Sequence, residues 1–114
     1  MNYTWKSAED SNVQGTIEIR LPKYTERLKY LRDCQFEINE AGEVEVSNGM
    51  LDSTIKMIEI AEKHVEKVDL VNEMSQEIKS FEQMEYHPEC ELILQELGQI
   101  MLNGVQLGND SNPT

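Results

Sequence analysis

Ile17, Ile19 and Leu21 alternate with Glu18 and Arg20, the period of a strand with one buried face. Pro22 ends that run and suits the first turn of a helix. Tyr24, Leu28 and Leu31 then recur at spacings of four and three, which predicts a short helix over 23–33 with those three residues on its buried face. Phe36 and Ile38, the turn-forming stretch Asn39-Glu40-Ala41-Gly42, and Val44 and Val46 predict a β-hairpin over 36–46, closed by Asn48-Gly49. Residues 50–67 contain no glycine or proline and place apolar side chains at 51, 55, 58 and 65, the pattern of an amphipathic helix. Val68 to Val71 reads as a fourth short strand. Ser80 and Gln83 have the spacing of a capping box, His87-Pro88 opens a last helix over 88–103, and Gly104 stands where that helix ends.

These elements predict an α+β domain: a small antiparallel sheet, made of the 16–21 strand and the 36–46 hairpin, packed against three or four α-helices. Residues 1–15 are polar and aperiodic with Trp5 as the one large anchor, so they are expected as a flexible lead that frays or docks through that one ring, 16–105 as the single domain, and 106–114 as a flexible tail.

Helical projection separates core from surplus. On helix 50–67 the apolar residues cover roughly 220° of the circumference, against the usual stripe of about 100°. Leu51, Ile55, Ile58, Ala61 and Val65 are the expected core, and Met57, Ile60 and His64 form an edge that faces either a partner or a second element of the same domain, since a central helix sandwiched between two elements needs a wide apolar face. On helix 88–103, Cys90, Ile93, Leu94, Leu97, Ile100 and Met101 make a compact core face, while Leu92 and Leu102 fall outside it among Gln95, Gln99 and Asn103. Met57, Ile60, His64, Leu92 and Leu102 are therefore the candidate partner-binding residues.

With 114 residues the chain has room for one domain. Its 10 basic and 22 acidic residues give a net charge of -12, which argues against nucleic acid and anionic membranes as partners. Acidity concentrates after residue 47, where 4 basic side chains face 13 acidic ones. Arg20, Lys23, Arg27, Lys29 and Arg32 run against that trend and read as a solvated helix face or a contact for an acidic surface. No apolar run is long enough to span a bilayer or follows a basic start, and two cysteines without scaffold spacing fit a reducing cytoplasm.

Catalytic signatures are absent: there is no phosphate-binding glycine loop, no G-x-S-x-G and no H-E-x-x-H. Glu59/Glu62 and Glu82/Glu85 have E-x-x-E spacing without the accompanying histidine of a di-iron site. Cys34, His64, His87 and Cys90 would complete a zinc set by count, but Cys90 is already required by the core face of its helix. The sequence is thus read as non-catalytic, with no metal and no cofactor.

The stretch Ser80-Phe81-Glu82-Gln83-Met84-Glu85-Tyr86-His87-Pro88-Glu89-Cys90-Glu91-Leu92-Ile93-Leu94-Gln95-Glu96-Leu97, followed by Ile100-Met101-Leu102-Asn103-Gly104, resembles the small tail assembly chaperones of long-tailed phages and prophages. Leu21-Pro22-Lys23-Tyr24-Thr25-Glu26-Arg27 is similar to their L-P-x-Y-x-E-R-like opening, and the layout agrees over roughly residues 16–108. The resemblance implies a protein of the host cytoplasm that binds the apolar helical tape measure protein, with the tail tube protein or a second copy as further partners. The competing expectation from charge alone is an acidic nucleic-acid mimic that inhibits a host defence nuclease.

Overall fold

The computed structural model describes residues 1–34, 37–38, 40–41, 44–45 and 51–104. Among them lie six strands, β1 (Asn2–Lys6), β2 (Val13–Arg20), β3 (Glu37–Ile38), β4 (Val44–Glu45), β5 (Val65–Asn72) and β6 (Glu77–Ile78). Four α-helices accompany them: α1 (Tyr24–Cys34), α2 (Leu51–His64), α3 (Phe81–Glu85) and α4 (Glu91–Asn103), the last entered through a 3₁₀ turn at Pro88–Cys90. The fold is α+β, as the sequence pattern predicts, and four strands form an antiparallel sheet in the order β1-β2-β5-β6.

The sheet is not assembled as expected. The β3–β4 hairpin forms, pairing Glu37 with Glu45 and Ile38 with Val44, but as a separate two-stranded ribbon. Its place beside β2 is taken by β5. The helix expected over 50–67 stops at His64 and Val65 enters β5 directly, because Val68, Leu70 and Asn72 alternate inward and the ladder from Ile17↔Val68 to Val13↔Asn72 competes successfully with continued helix. One register shift, between Glu18 and Ile19, leaves Glu66 without an opposite residue, which is how the chain passes from helix to strand without a linker.

The first fifteen residues dock through Trp5 rather than fray, and they do so as part of the sheet instead of as a flexible lead. Asn2–Lys6 pairs with β2 over five positions, from Asn2↔Arg20 to Lys6↔Thr16, and β2 itself begins at Val13. Trp5 provides the reason: its ring is buried in the main core and its Nε1 donates to Glu96 Oε2 of α4 at 2.5 Å. Phe36, the turn residues Asn39 and Gly42, Val46, Asn48-Gly49 and the tail 106–114 lie outside the described residues.

Helices cover one face of the sheet. Inward residues Trp5, Val13, Ile17, Ile19, Val68, Leu70 and Ile78 pack under Ile60 and Ala61 of α2, Phe81 and Met84 of α3, and Ile93, Leu94, Leu97 and Met101 of α4. The helix ends follow the sequence signals. Ser80 Oγ accepts from the Gln83 N–H at 3.1 Å, Pro88 opens the 3₁₀ turn, and Gly104, at φ 76°, closes α4 with its N–H on the Ile100 carbonyl at 2.7 Å. Asn72 ends β5: Oδ1 accepts from the N–H groups of Met74 and Gln76, while Nδ2 donates to Gln76 Oε1 and Glu89 Oε2, tying the β5–β6 turn to the 3₁₀ turn.

Candidate functional site

The roll of α2 about its axis decides which of its apolar residues are available. At its C-terminal end His64 is 1% exposed, and its Nδ1 lies 2.7 Å from the Arg20 carbonyl at the end of β2. A carbonyl only accepts, so Nδ1 carries the proton, and in the neutral ring Nε2 accepts from the Tyr30 hydroxyl of α1, also at 2.7 Å. Because β5 starts at the next residue, the helix cannot rotate without breaking both bonds. Farther along, α4 offers Gly98 opposite Met57; a Cβ there would stand 2.3 Å from Met57 Cγ, so the missing side chain is the notch that admits Met57.

This roll keeps part of the expected core, with Ala61 buried and Ile58 and Val65 packed against the core, and exchanges the rest. Met57 (2% exposed), Ile60 (3%) and His64 belong to the interior, whereas Leu51 (76%) and Ile55 (55%), expected in the core, stand in solvent. Leu102, expected on the outside of α4, is 2% exposed and packs with Met57 under Tyr30 and Leu31 of α1. Of the five residues predicted to bind a partner, only Leu92, at 78%, is on the surface. The structure brings Met57 and Leu102 together, but as packing partners rather than as a docking site. Gly98 was the missed signal: a glycine amid the apolar face of a helix marks a close approach.

A similar exchange occurs on α1. Tyr30 and Leu31 face inward, while Tyr24 and Leu28, expected to be buried, are exposed. Arg27 fixes this orientation by donating from Nη1 to the Asn103 carbonyl at 3.0 Å, where the C-terminal end of α4 favours a cation, and its guanidinium lies 5.6 Å from the Tyr24 ring. Other members of the basic cluster also have local partners: Arg20 meets Glu26 at 3.4 Å and Arg32 meets Asp33 at 3.2 Å.

The surface that results carries an apolar stripe on α2. Leu51, Ile55 and Ile58 follow at spacings of four and three, with Ile58 half-buried against the core and the other two free. Exposed Tyr24 and Leu28 add a shorter apolar run on α1. Between α1 and α2 lies a cleft of about 380 Å³ lined by Tyr30, Asp33, Lys56, Glu59, Ile60 and Lys63, with charges of both signs. Its buried neighbour His64 has both ring nitrogens engaged in holding elements together. Cys90 is buried, and burial pushes its thiol up to about 11, so at neutral pH it is a packing group rather than a nucleophile. Among the described residues no three His, Cys, Asp or Glu side chains converge in a way that could hold a metal ion, and no helix is long and apolar enough to cross a membrane.

No family model, curated protein or solved structure matches this chain.

Burial holds the His64 imidazolium below its ordinary value of 6.5; the bond to the Arg20 carbonyl and the Glu26 charge oppose this, and Arg20 and Lys63 reinforce it. A histidine with a lowered folded pKa is protonated first in the unfolded chain, so its contribution is complete above about pH 6.5 and is lost as pH falls. Thermal stability is therefore expected to decline between pH 7 and 5.5, above the range in which exposed carboxylates titrate. In His64→Gln the slope over that interval should flatten even if absolute stability is lower. An unchanged slope would remove His64 as its cause.

Proposed function

We propose that this chain is a non-catalytic binding protein that covers an apolar helical segment of a partner, acting as a tail assembly chaperone for the tape measure protein of a long-tailed phage. The observation that carries this reading is the stripe of Leu51 and Ile55 on α2, 76% and 55% exposed on a chain of net charge -12. Apolar side chains at helical spacing offer a seam for an amphipathic helix, and the surrounding acidity keeps a complex dispersed through repulsion. The sequence resemblance supplies the kind of partner, a long helical protein that aggregates when its apolar surface is uncovered. Tyr24 and Leu28 of α1 extend the available apolar surface, whereas Met57, Ile60, His64 and Leu102 act by holding α1, α2 and α4 in place.

The test is coexpression with the tape measure protein from the same genome, followed by affinity capture. Leu51→Glu with Ile55→Glu should leave the circular dichroism spectrum and melting temperature nearly unchanged, since both residues are exposed, and reduce copurified partner at least about tenfold, the equivalent of roughly 1.4 kcal/mol. The complex should tolerate moderate salt because apolar burial supplies most of its attraction. Capture that survives the double substitution and collapses on moving from low to moderate salt would replace this reading with the charge-driven one, an acidic protein occupying a basic groove.

A further inference from the structure

The hydrogen-bond phase of β1 shows what its outer edge offers. The Ser7 N–H donates to the Gly15 carbonyl and the Leu21 N–H to the Met1 carbonyl, and these bonds flank the regular register from Asn2↔Arg20 to Lys6↔Thr16. Odd-numbered residues of β1 therefore turn their N–H and C=O groups toward β2, and Asn2, Thr4 and Lys6 turn theirs out of the sheet. Among the described residues β1 is the terminal strand on that side. It has no proline and no register shift against β2, and Lys6 is its one charged side chain. The opposite edge is shielded differently, since β6 has two residues and leads at once to Ser80, the cap of α3.

A second feature lies on the same flank. Glu96 of α4 receives the Trp5 Nε1 hydrogen bond, which ties that side of α4 to β1. Leu92 stands one turn earlier, at the i−4 position to Glu96, and is 78% exposed. A strand edge and an exposed leucine on the helix face tied to that strand are what a continuous two-layer interface would use.

We propose that the β1 edge is a self-association surface that pairs with β1 of a second copy, antiparallel about Thr4, to join two four-stranded sheets into one. The free groups fit this register. Thr4 meets Thr4 of the second copy as a hydrogen-bonded pair, and Asn2 meets Lys6, so no like charges stand opposite each other. Tyr3 lies across from Trp5 at the closely spaced, non-hydrogen-bonded positions on the helix-covered face. In the helix layer, Leu92 is brought toward the junction. Charge favours this strand on a chain of net -12, because residues 1–8 contain no acidic side chain and the paired strands themselves add no carboxylate repulsion between copies. This surface is separate from the Leu51–Ile55 stripe, so either assignment can fail alone.

Sedimentation velocity of the full chain should show a species of twice the 13.2 kDa chain mass that grows with protein concentration. Salt should strengthen it by screening repulsion between the copies, the opposite of a charge-driven complex. Leu92→Glu, at an exposed site, should keep the fold and raise the dissociation constant at least about tenfold. Thr4→Cys in a Cys34→Ser background tests the register: hydrogen-bonded antiparallel pairs have Cα atoms about 5.5 Å apart, within disulfide reach. Mild oxidation should then yield a covalent dimer, whereas Asn2→Cys, which faces Lys6 of the other copy, should yield far less. A wild-type chain that stays monomeric at several hundred micromolar overturns the proposal. So does a dimer indifferent to Leu92→Glu with equal cross-linking at positions 2 and 4.

Discussion

Met57→Glu is expected to destabilise the chain by about 4 kcal/mol, whereas Ile55→Glu, on the opposite side of the same helix, should change stability by no more than about 0.5 kcal/mol. Met57 is 2% exposed, lies against Gly98 of α4 and packs with Leu102 beneath Tyr30 and Leu31. Glutamate there must either bury a carboxylate among apolar groups or push α1 away from α2 and α4. A loss of that size consumes much of the roughly 5–15 kcal/mol that typically stabilises a domain, so the unfolding transition should move to much lower urea or disappear. Leu102→Glu should behave in the same way, being equally buried. Equilibrium denaturation of the Met57 and Ile55 variants side by side is a direct measurement of the roll of α2. Tolerance at 57 with collapse at 55 would restore the face expected from periodicity alone.

Gly15→Ala should have the second large effect, a fall in melting temperature of roughly 10–20 °C from a loss of about 3 kcal/mol. Gly15 has φ +139°, a conformation that residues with a Cβ rarely adopt, and it faces Leu70 in the central β2–β5 pairing. A Cβ built there would stand 2.0 Å from the Asp69 carbonyl oxygen and 2.9 Å from Leu70 Cα. Both contacts are backbone, so relief requires the two central strands to separate locally. Gly98→Ala provides a useful comparison. Its Cβ would meet Met57 Cγ at 2.3 Å, but that side chain can shift, and alanine recovers helix propensity worth about 1 kcal/mol. Thermal melts should therefore rank Gly15→Ala well below Gly98→Ala; the reverse order would mean that the β2–β5 ladder yields more readily than the α2–α4 contact.

Local chemistry left clear marks in the sequence. Ser80, Pro88 and Gly104 bound α3, the 3₁₀ turn and α4 because caps depend on a few neighbouring atoms, and Ile17 and Ile19 alternate in β2 because a pleated strand presents every second residue to the core. The hairpin was legible for the same reason: its strands are close in the chain. Pairing of β2 with β5 was not, since nothing local to 13–20 distinguishes a partner at 65–72 from one at 36–46. Val65 to Lys67 could extend a helix or begin a strand, and the ladder with β2 settled that competition.

The candidate site shows the same division more sharply. Sequence determined that α2 carries more apolar surface than one core face needs, and that this surplus exists on a strongly acidic chain. Periodicity fixes angles between residues on a helix but not the rotation of the helix against its neighbours, so the pattern left open which part of the wide apolar arc meets the core and which part meets solvent. Tertiary structure chose between them through nonlocal contacts: His64 holding the Arg20 carbonyl and Tyr30, Arg27 reaching Asn103, and Met57 entering the gap at Gly98. Those bonds turn Met57, Ile60 and Leu102 inward and leave Leu51 and Ile55 outside, because a buried polar ring with two fixed partners permits only one roll.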